Sequence, residues 1–122
     1  QPVKINKSEL ILNLMPEQVL KKYIEIDNKK LKKGGDSIPG SISYAVLLAT
    51  EFLKSQDIYI FGQDFYEKDY YIKQFHNYDF EKKDTENFKF DLSNFLNYLS
   101  HCKFYIYTIA DYKPNFSNIK TL

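Results

Sequence analysis

The 122-residue chain contains no arginine and no tryptophan. Its 17 basic residues are all lysines, and 16 acidic residues balance them to a formal net charge of +1. Arginine's planar fork is the usual clamp for phosphates and base edges, so its absence argues against a nucleic-acid reader. The near-neutral balance removes any overall drive toward nucleic acid or an anionic membrane surface. A single cysteine, Cys102, excludes an internal disulfide and a cysteine-rich zinc site, and points to a reducing, cytoplasmic compartment. No apolar run nears the roughly 20 residues that span a bilayer, so no transmembrane segment is expected. The N-terminus has no charged-then-apolar signal pattern. The chain starts at Gln1 rather than at a methionine, which reads as the mark of a piece of a longer protein.

Hydrophobic residues at 43% and charged residues at 27% are ordinary for a globular chain, and the length suits one domain. Aromatics reach 17%, with 11 Tyr and 10 Phe. Lysine, asparagine and isoleucine are abundant too, as a low-GC coding bias would produce, so no single tyrosine or lysine is informative by type alone.

Periodicity organises the chain. Leu10-Ile11-Leu12-Asn13-Leu14-Met15 fits a strand or a helical turn equally well. Pro16 suits a first helical turn, with Asn13 as a cap. Val19, Leu20, Tyr23 and Ile24 follow at helical spacing, and Leu31 extends the stripe. Lys29, Lys30, Lys32 and Lys33 favour the helix C-terminus, and Gly34 and Gly35 end it. The second helix carries Ile42, Ala45, Val46, Ala49, Phe52 and Leu53 as a stripe, with Leu47 and Leu48 outside it. So wide an apolar arc predicts cover on more than one side. Ser41 or Ser37 is its expected cap.

Ile58 to Phe61 is a continuous apolar run that Gly62 ends, as in a buried parallel strand. Residues 65–81 lack a period and read as a long loop or broken helix. Asp84 or Thr85 caps a third helix with the stripe Phe88, Leu92, Phe95, Leu96, Leu99. Phe104 to Ile109 is a second strand, and the tail from Pro114 reads as irregular. Strand, helix, strand predicts a parallel pair with a right-handed crossover. The fold class is therefore α/β: a Rossmann-like, mostly parallel small sheet flanked by helices. Two strands make a poor sheet, so the N-terminal segment or a further part of the protein is expected to complete it.

Four features can carry chemistry. Gly40 and Ser41 open a helix whose backbone N–H groups can meet a phosphate, although spacing alone favours an ordinary Gly/Ser helix start. Gly62, Gln63, Asp64 and Tyr66 fall beyond a strand's carboxyl end, where open α/β sheets bind ligands; Asp64 can also be a simple turn cap. His76, in the long loop, can act as a general base or be merely solvated. Phe65, Tyr66, Tyr70, Tyr71, Phe75, Tyr78 and Phe80 can bind phosphate or stack on sugars, or pack the loop on the body. His101 reads as facing a helix dipole, and Cys102 as buried and inert.

Gly40-Ser41-Ile42, the Ala- and Leu-rich helix, and Ile58-Tyr59-Ile60-Phe61-Gly62-Gln63-Asp64-Phe65-Tyr66 together resemble the motility-associated-factor glycosyltransferases. Those share a domain with 6-hydroxymethylpterin pyrophosphokinase-like proteins, and the pattern is also similar to Campylobacter-type sialyltransferases. The resemblance runs from about Gly34 to Ile109. It implies a bacterial, cytoplasmic, Rossmann-like transferase that moves a nonulosonic, sialic-acid-like sugar from a CMP-sugar donor to an acceptor glycan or protein. It implies donor binding by Gly40, Ser41, Tyr66 and Tyr70 or Tyr71, with His76 as general base; the position beyond the strand end adds Gly62 and Gln63 to the substrate site and Asp64 as a second catalytic candidate, with no bound metal. It also implies that residues 1–122 form the C-terminal half of a larger glycosyltransferase-like domain, completed by a missing N-terminal half or a second copy. The alternatives are ATP- and Mg²⁺-dependent pyrophosphoryl transfer to a pterin, with Asp64 facing the metal, and a non-catalytic interaction module that keeps the fold.

Overall fold

The computed structural model describes residues 15–33, 38–65 and 82–122. The expected segment from Leu10 to Leu14, the Asn13 cap, Gly34, Gly35, Ser37 and the aromatic stretch 66–81 lie outside the described residues, as do the side chains of Leu31 and Asp84.

Helix α1 spans Glu17–Lys33. Val19 and Ile26 are buried and Tyr23 partly so, which is an i, i+4, i+7 stripe. Ile24, expected on that stripe, is instead half exposed. Lys22 and Lys29 both reach Glu25, at 3.5 and 3.3 Å, on the solvent side. The Tyr23 ring stacks on Tyr44 of the next helix at 5.5 Å.

Helix α2 covers Ser41–Leu47 and continues as a π-helical turn over Leu48–Phe52. Its wider turn is visible in the bond from the Leu53 N–H to the Leu48 carbonyl at 3.0 Å. Lys54 then adopts a left-handed φ of 57°, and the Ser55 N–H returns to the Ala49 carbonyl at 2.9 Å. The buried positions are Ser43, Val46, Leu47 and Thr50. That corrects the expected wide arc: Phe52 and Leu53 of the stripe are 50% and 64% exposed and Leu48 outside it is 41% exposed, so α2 is covered on one side only. Two of its four buried positions are hydroxyl residues, which apolar periodicity does not register. Ser43 is accommodated because its hydroxyl donates to the Gly40 carbonyl at 2.7 Å. Gly40 holds the N-cap position without any side-chain cap, and Ser41 is already helical.

Strand β1 is Asp57–Phe61, helix α3 is Lys82–Asn97, β2 is Lys103–Tyr107 and β3 is Ile119–Thr121. The sheet order is β1-β2-β3 and both pairings are parallel. The expected β1–α3–β2 unit is therefore present, and the fold is a small parallel α/β, Rossmann-like arrangement. Two details differ from expectation. Helix α3 starts at Lys82, so Asp84 and Thr85 lie within its first turns rather than capping it. The tail is not wholly irregular: Ile119–Thr121 supplies the third strand, reached from β2 through residues 108–118 without a helix.

One sheet face carries Ile58, Phe104, Ile106 and Ile119 into a single apolar cluster with Leu92, Phe95, Leu96 and Leu99 of α3. The other face carries Tyr59, Phe61, Tyr105 and Tyr107. Tyr59 stacks on Tyr105 at 4.7 Å and Phe61 on Tyr107 at 4.5 Å. These cross-strand pairs contribute roughly 0.2–1 kcal/mol each. Tyr59 is nonetheless 56% and Phe61 70% exposed, so β1 is half buried, not buried on both faces as its sequence suggests. Among the described residues, no helix is long and apolar enough to cross a membrane.

Candidate functional site

The carboxyl ends of β1 and β2 lie side by side because the strands are parallel and in register, Phe61 against Tyr107. A cleft of about 520 Å³ opens beyond them, lined by Gly62, Gln63 and Asp64 on one side and Tyr107, Thr108 and Ile109 on the other. This is the edge at which parallel α/β sheets bind ligands.

Its wall is built by local backbone geometry. Gly62 has a φ of +78°, a conformation glycine takes without steric cost, and it turns the chain out of β1. The Gln63 side-chain oxygen accepts the Phe65 N–H at 3.2 Å, closing a tight turn around Asp64. Phe65 has a φ of 56°, which costs a non-glycine residue roughly 1–2 kcal/mol. Full burial of its ring offsets this by roughly 1.5–3 kcal/mol. The ring packs edge-on against Phe88 at 5.7 Å and tilted against Tyr112 at 4.5 Å.

Thr108 joins the two sides. Its hydroxyl donates to the Gln63 carbonyl at 2.5 Å and accepts the Ala110 N–H at 3.0 Å. Asp64 is exposed at the cleft and carries the one side-chain charge among the described residues that line it. Its carboxylate can accept a proton or hold a hydroxyl; an incoming phosphate would depend on backbone N–H groups there.

The sequence-predicted residues divide. Gly62, Gln63 and Asp64 come together in this cleft. Gly40 and Ser41 start α2 and do not line it. Gly40 has φ −56° and ψ −126°, a combination outside the α and β regions that suits glycine, although a Cβ built there meets no neighbouring atom within 4 Å. Tyr66, Tyr70, Tyr71 and His76 lie outside the described residues. His101 is exposed in the turn after α3. Cys102 is buried, its thiol donating to the Ser55 carbonyl at 3.6 Å, and loss of solvation pushes its pKa up. That favours the unreactive thiol. No group of three or more His, Cys, Asp or Glu that could hold a metal occurs among the described residues.

Sequence reading missed Thr108, whose only signal is a hydroxyl residue at the end of an apolar strand. It also missed a polar network where α3 meets the β2–β3 connection. Lys89 is buried, its ammonium donating to the Asp111 carbonyl at 2.6 Å, near Glu86 at 3.6 Å and over the Phe65 ring at 5.9 Å. The Ser93 hydroxyl donates to the Lys89 carbonyl at 2.7 Å and meets the Tyr112 hydroxyl at 2.7 Å. With the serine proton so used, Tyr112 donates to Ser93. Burial pushes the Tyr112 pKa up to about 12, although the Ser93 hydrogen bond works the other way.

Comparison with known proteins brings no relative: no family model, curated protein or solved structure matches the chain.

Proposed function

We propose that this chain is part of a glycosyltransferase-like enzyme that moves a nonulosonic sugar from a CMP-sugar donor to an acceptor hydroxyl. The observation that carries the reading is the placing of Gly62, Gln63 and Asp64 in a cleft at the carboxyl edge of a parallel sheet. Those three residues are the distinctive part of the likeness to the motility-associated-factor and sialyltransferase families, which also includes Gly40-Ser41-Ile42 and the helix that follows.

In this reaction the acceptor oxygen attacks the sugar's anomeric carbon. The bond from that carbon to the CMP phosphate oxygen breaks, and CMP leaves with the bonding electrons. The acceptor's proton passes to Asp64 or His76. Tyr66, Tyr70 and Tyr71 follow Asp64 in the chain and are assigned to the leaving phosphate. Gly40 and Ser41 keep a donor-binding role only if the whole enzyme brings the start of α2 toward the donor. The reading carries with it a cytoplasmic location and a further part of the protein that supplies the opposite wall of the site.

Titration with CMP and a CMP-sugar, followed by backbone amide NMR, tests it. Perturbation of Gly62, Gln63, Asp64 and Thr108 at millimolar ligand supports the reading. A silent cleft in a folded sample, or binding of Mg²⁺-ATP in preference to CMP, rejects it.

One observation favours a second reading, an interaction module without chemistry. The aromatic sheet face of Tyr59, Phe61, Tyr105 and Tyr107 leaves large apolar side chains in solvent. Under this reading Ser41→Ala, Asp64→Asn and His76→Ala all leave the cellular role intact, whereas Phe61→Ser abolishes it. The reverse pattern rejects it.

A further inference from the structure

A second cleft, about 720 Å³, runs between α3 and the β2–β3 connection. We infer that it binds an uncharged, hydroxyl-rich saccharide unit.

Charge excludes the competing ligand classes. The lining carboxylates of Glu86 and Asp111 are matched by the ammonium groups of Lys89 and Lys113. The Lys89 ammonium is already engaged, by the Asp111 carbonyl and by Glu86. The four charges cancel, so an anion such as a phosphate finds no net attraction there. A cation would meet two lysines. An apolar ligand would strip water from carboxylates and amides without replacing their hydrogen bonds.

The remaining polar groups suit hydroxyls. Asn87, Asn94 and Asn115 line the cleft, and each amide both donates and accepts. The Tyr112 hydroxyl gives its proton to Ser93, so its oxygen is left to accept. A sugar hydroxyl also donates and accepts, so one ring can satisfy carboxylate, amide and ammonium partners without burying a new charge. Phe90 supplies the apolar complement. It lines the cleft from α3 and is 59% exposed, so its ring is open to a ligand. The C–H face of a pyranose packs on such a ring.

This inference does not depend on the transfer reading. The cleft is distinct from the one at the strand ends: Phe65, which follows Asp64, packs on Tyr112 between them. A saccharide can bind here whether or not CMP binds there.

The test is an amide NMR titration of the whole chain with galactose, N-acetylglucosamine and lactose, with inorganic phosphate and CMP as separate arms. Saturable shifts at Asn87, Phe90, Asn94 and Asn115 with at least one sugar, at roughly millimolar affinity, are expected. Phe90→Ala and Asn94→Ala each weaken that binding by about tenfold or more while the spectrum stays dispersed. The inference is overturned if no sugar gives saturable shifts, if phosphate or CMP alone perturbs these residues, or if neither variant changes the affinity. CMP shifts confined to Gly62, Gln63 and Asp64 bear only on the transfer reading.

Discussion

The Thr108 hydroxyl donates to the main-chain carbonyl of Gln63 at 2.5 Å, across 45 residues of chain. This bond ties the turn after β1 to the turn after β2, and so holds the two sides of the strand-end cleft at a set spacing. Parallel pairing brings the strand ends together; Thr108 fixes what happens one residue beyond them.

Thr108→Val keeps the shape and removes the hydroxyl. It strands the Gln63 carbonyl and the Ala110 N–H together. The expected loss is about 1–3 kcal/mol in urea unfolding, with amide shifts at Gln63, Asp64 and Ala110. Thr108→Ser restores most of the stability. An unchanged midpoint in the valine variant contradicts the role given to this hydroxyl.

Asn118 does comparable work at the other end of α3. Its side-chain amide donates to the carbonyls of Leu96, Leu99 and Cys102 at 3.0, 3.4 and 3.3 Å. It thereby closes the end of the helix against the start of β3. Asn118→Ala is expected to cost about 1–3 kcal/mol. Asn118→Asp is expected to cost more, because it sets a carboxylate against a ring of carbonyls at a helix C-terminus. Chemical unfolding of both variants checks the order; an aspartate variant as stable as the parent rejects it.

The Tyr112 phenol gives a pH dependence whose sign follows from its raised pKa. In the unfolded chain it ionises near 10, and in the folded chain at about 12. Between those values the unfolded state has lost the proton that the folded state keeps, so stability falls as pH rises. Its contribution is complete below pH 10 and gone above the folded value. Following the tyrosine ring carbons by NMR is expected to show Tyr112 among the last to titrate, with the unfolding midpoint falling from about pH 10 upward. Tyr112→Phe flattens that fall. Titration of Tyr112 at its unfolded value contradicts the burial that raises it.

How much of this was legible in the sequence varies by element. The β1–α3–β2 unit was, because Ile58 to Phe61 is an unbroken apolar run ended by Gly62 and the α3 stripe carries one strong helical period. Strand β3 was not: three residues with Lys120 outward have no pattern of their own, and only register against Tyr105 makes them a strand. Helix α2 misled because a π turn shifts its phase and because Ser43 is buried on a backbone carbonyl, which hydrophobicity does not encode. The outward turn of Tyr59 and Phe61 was equally hidden, since an apolar run looks the same whether one face or two are covered. At the site, Gly62 to Asp64 announced itself as a strand followed by glycine and an acid. Thr108 and the cleft along α3 depend on a connection that crosses from one element to another, and such a juxtaposition has no local signature.

The proposed sugar transfer requires the strand-end cleft to take a cytidine nucleotide. An amide NMR titration with CMP on the parent and on Asp64→Asn is the most direct measurement. Shifts centred on Gly62, Gln63, Asp64 and Thr108 are expected, saturating at roughly millimolar ligand and changing in the variant. A folded protein whose cleft amides stay still at that concentration contradicts it.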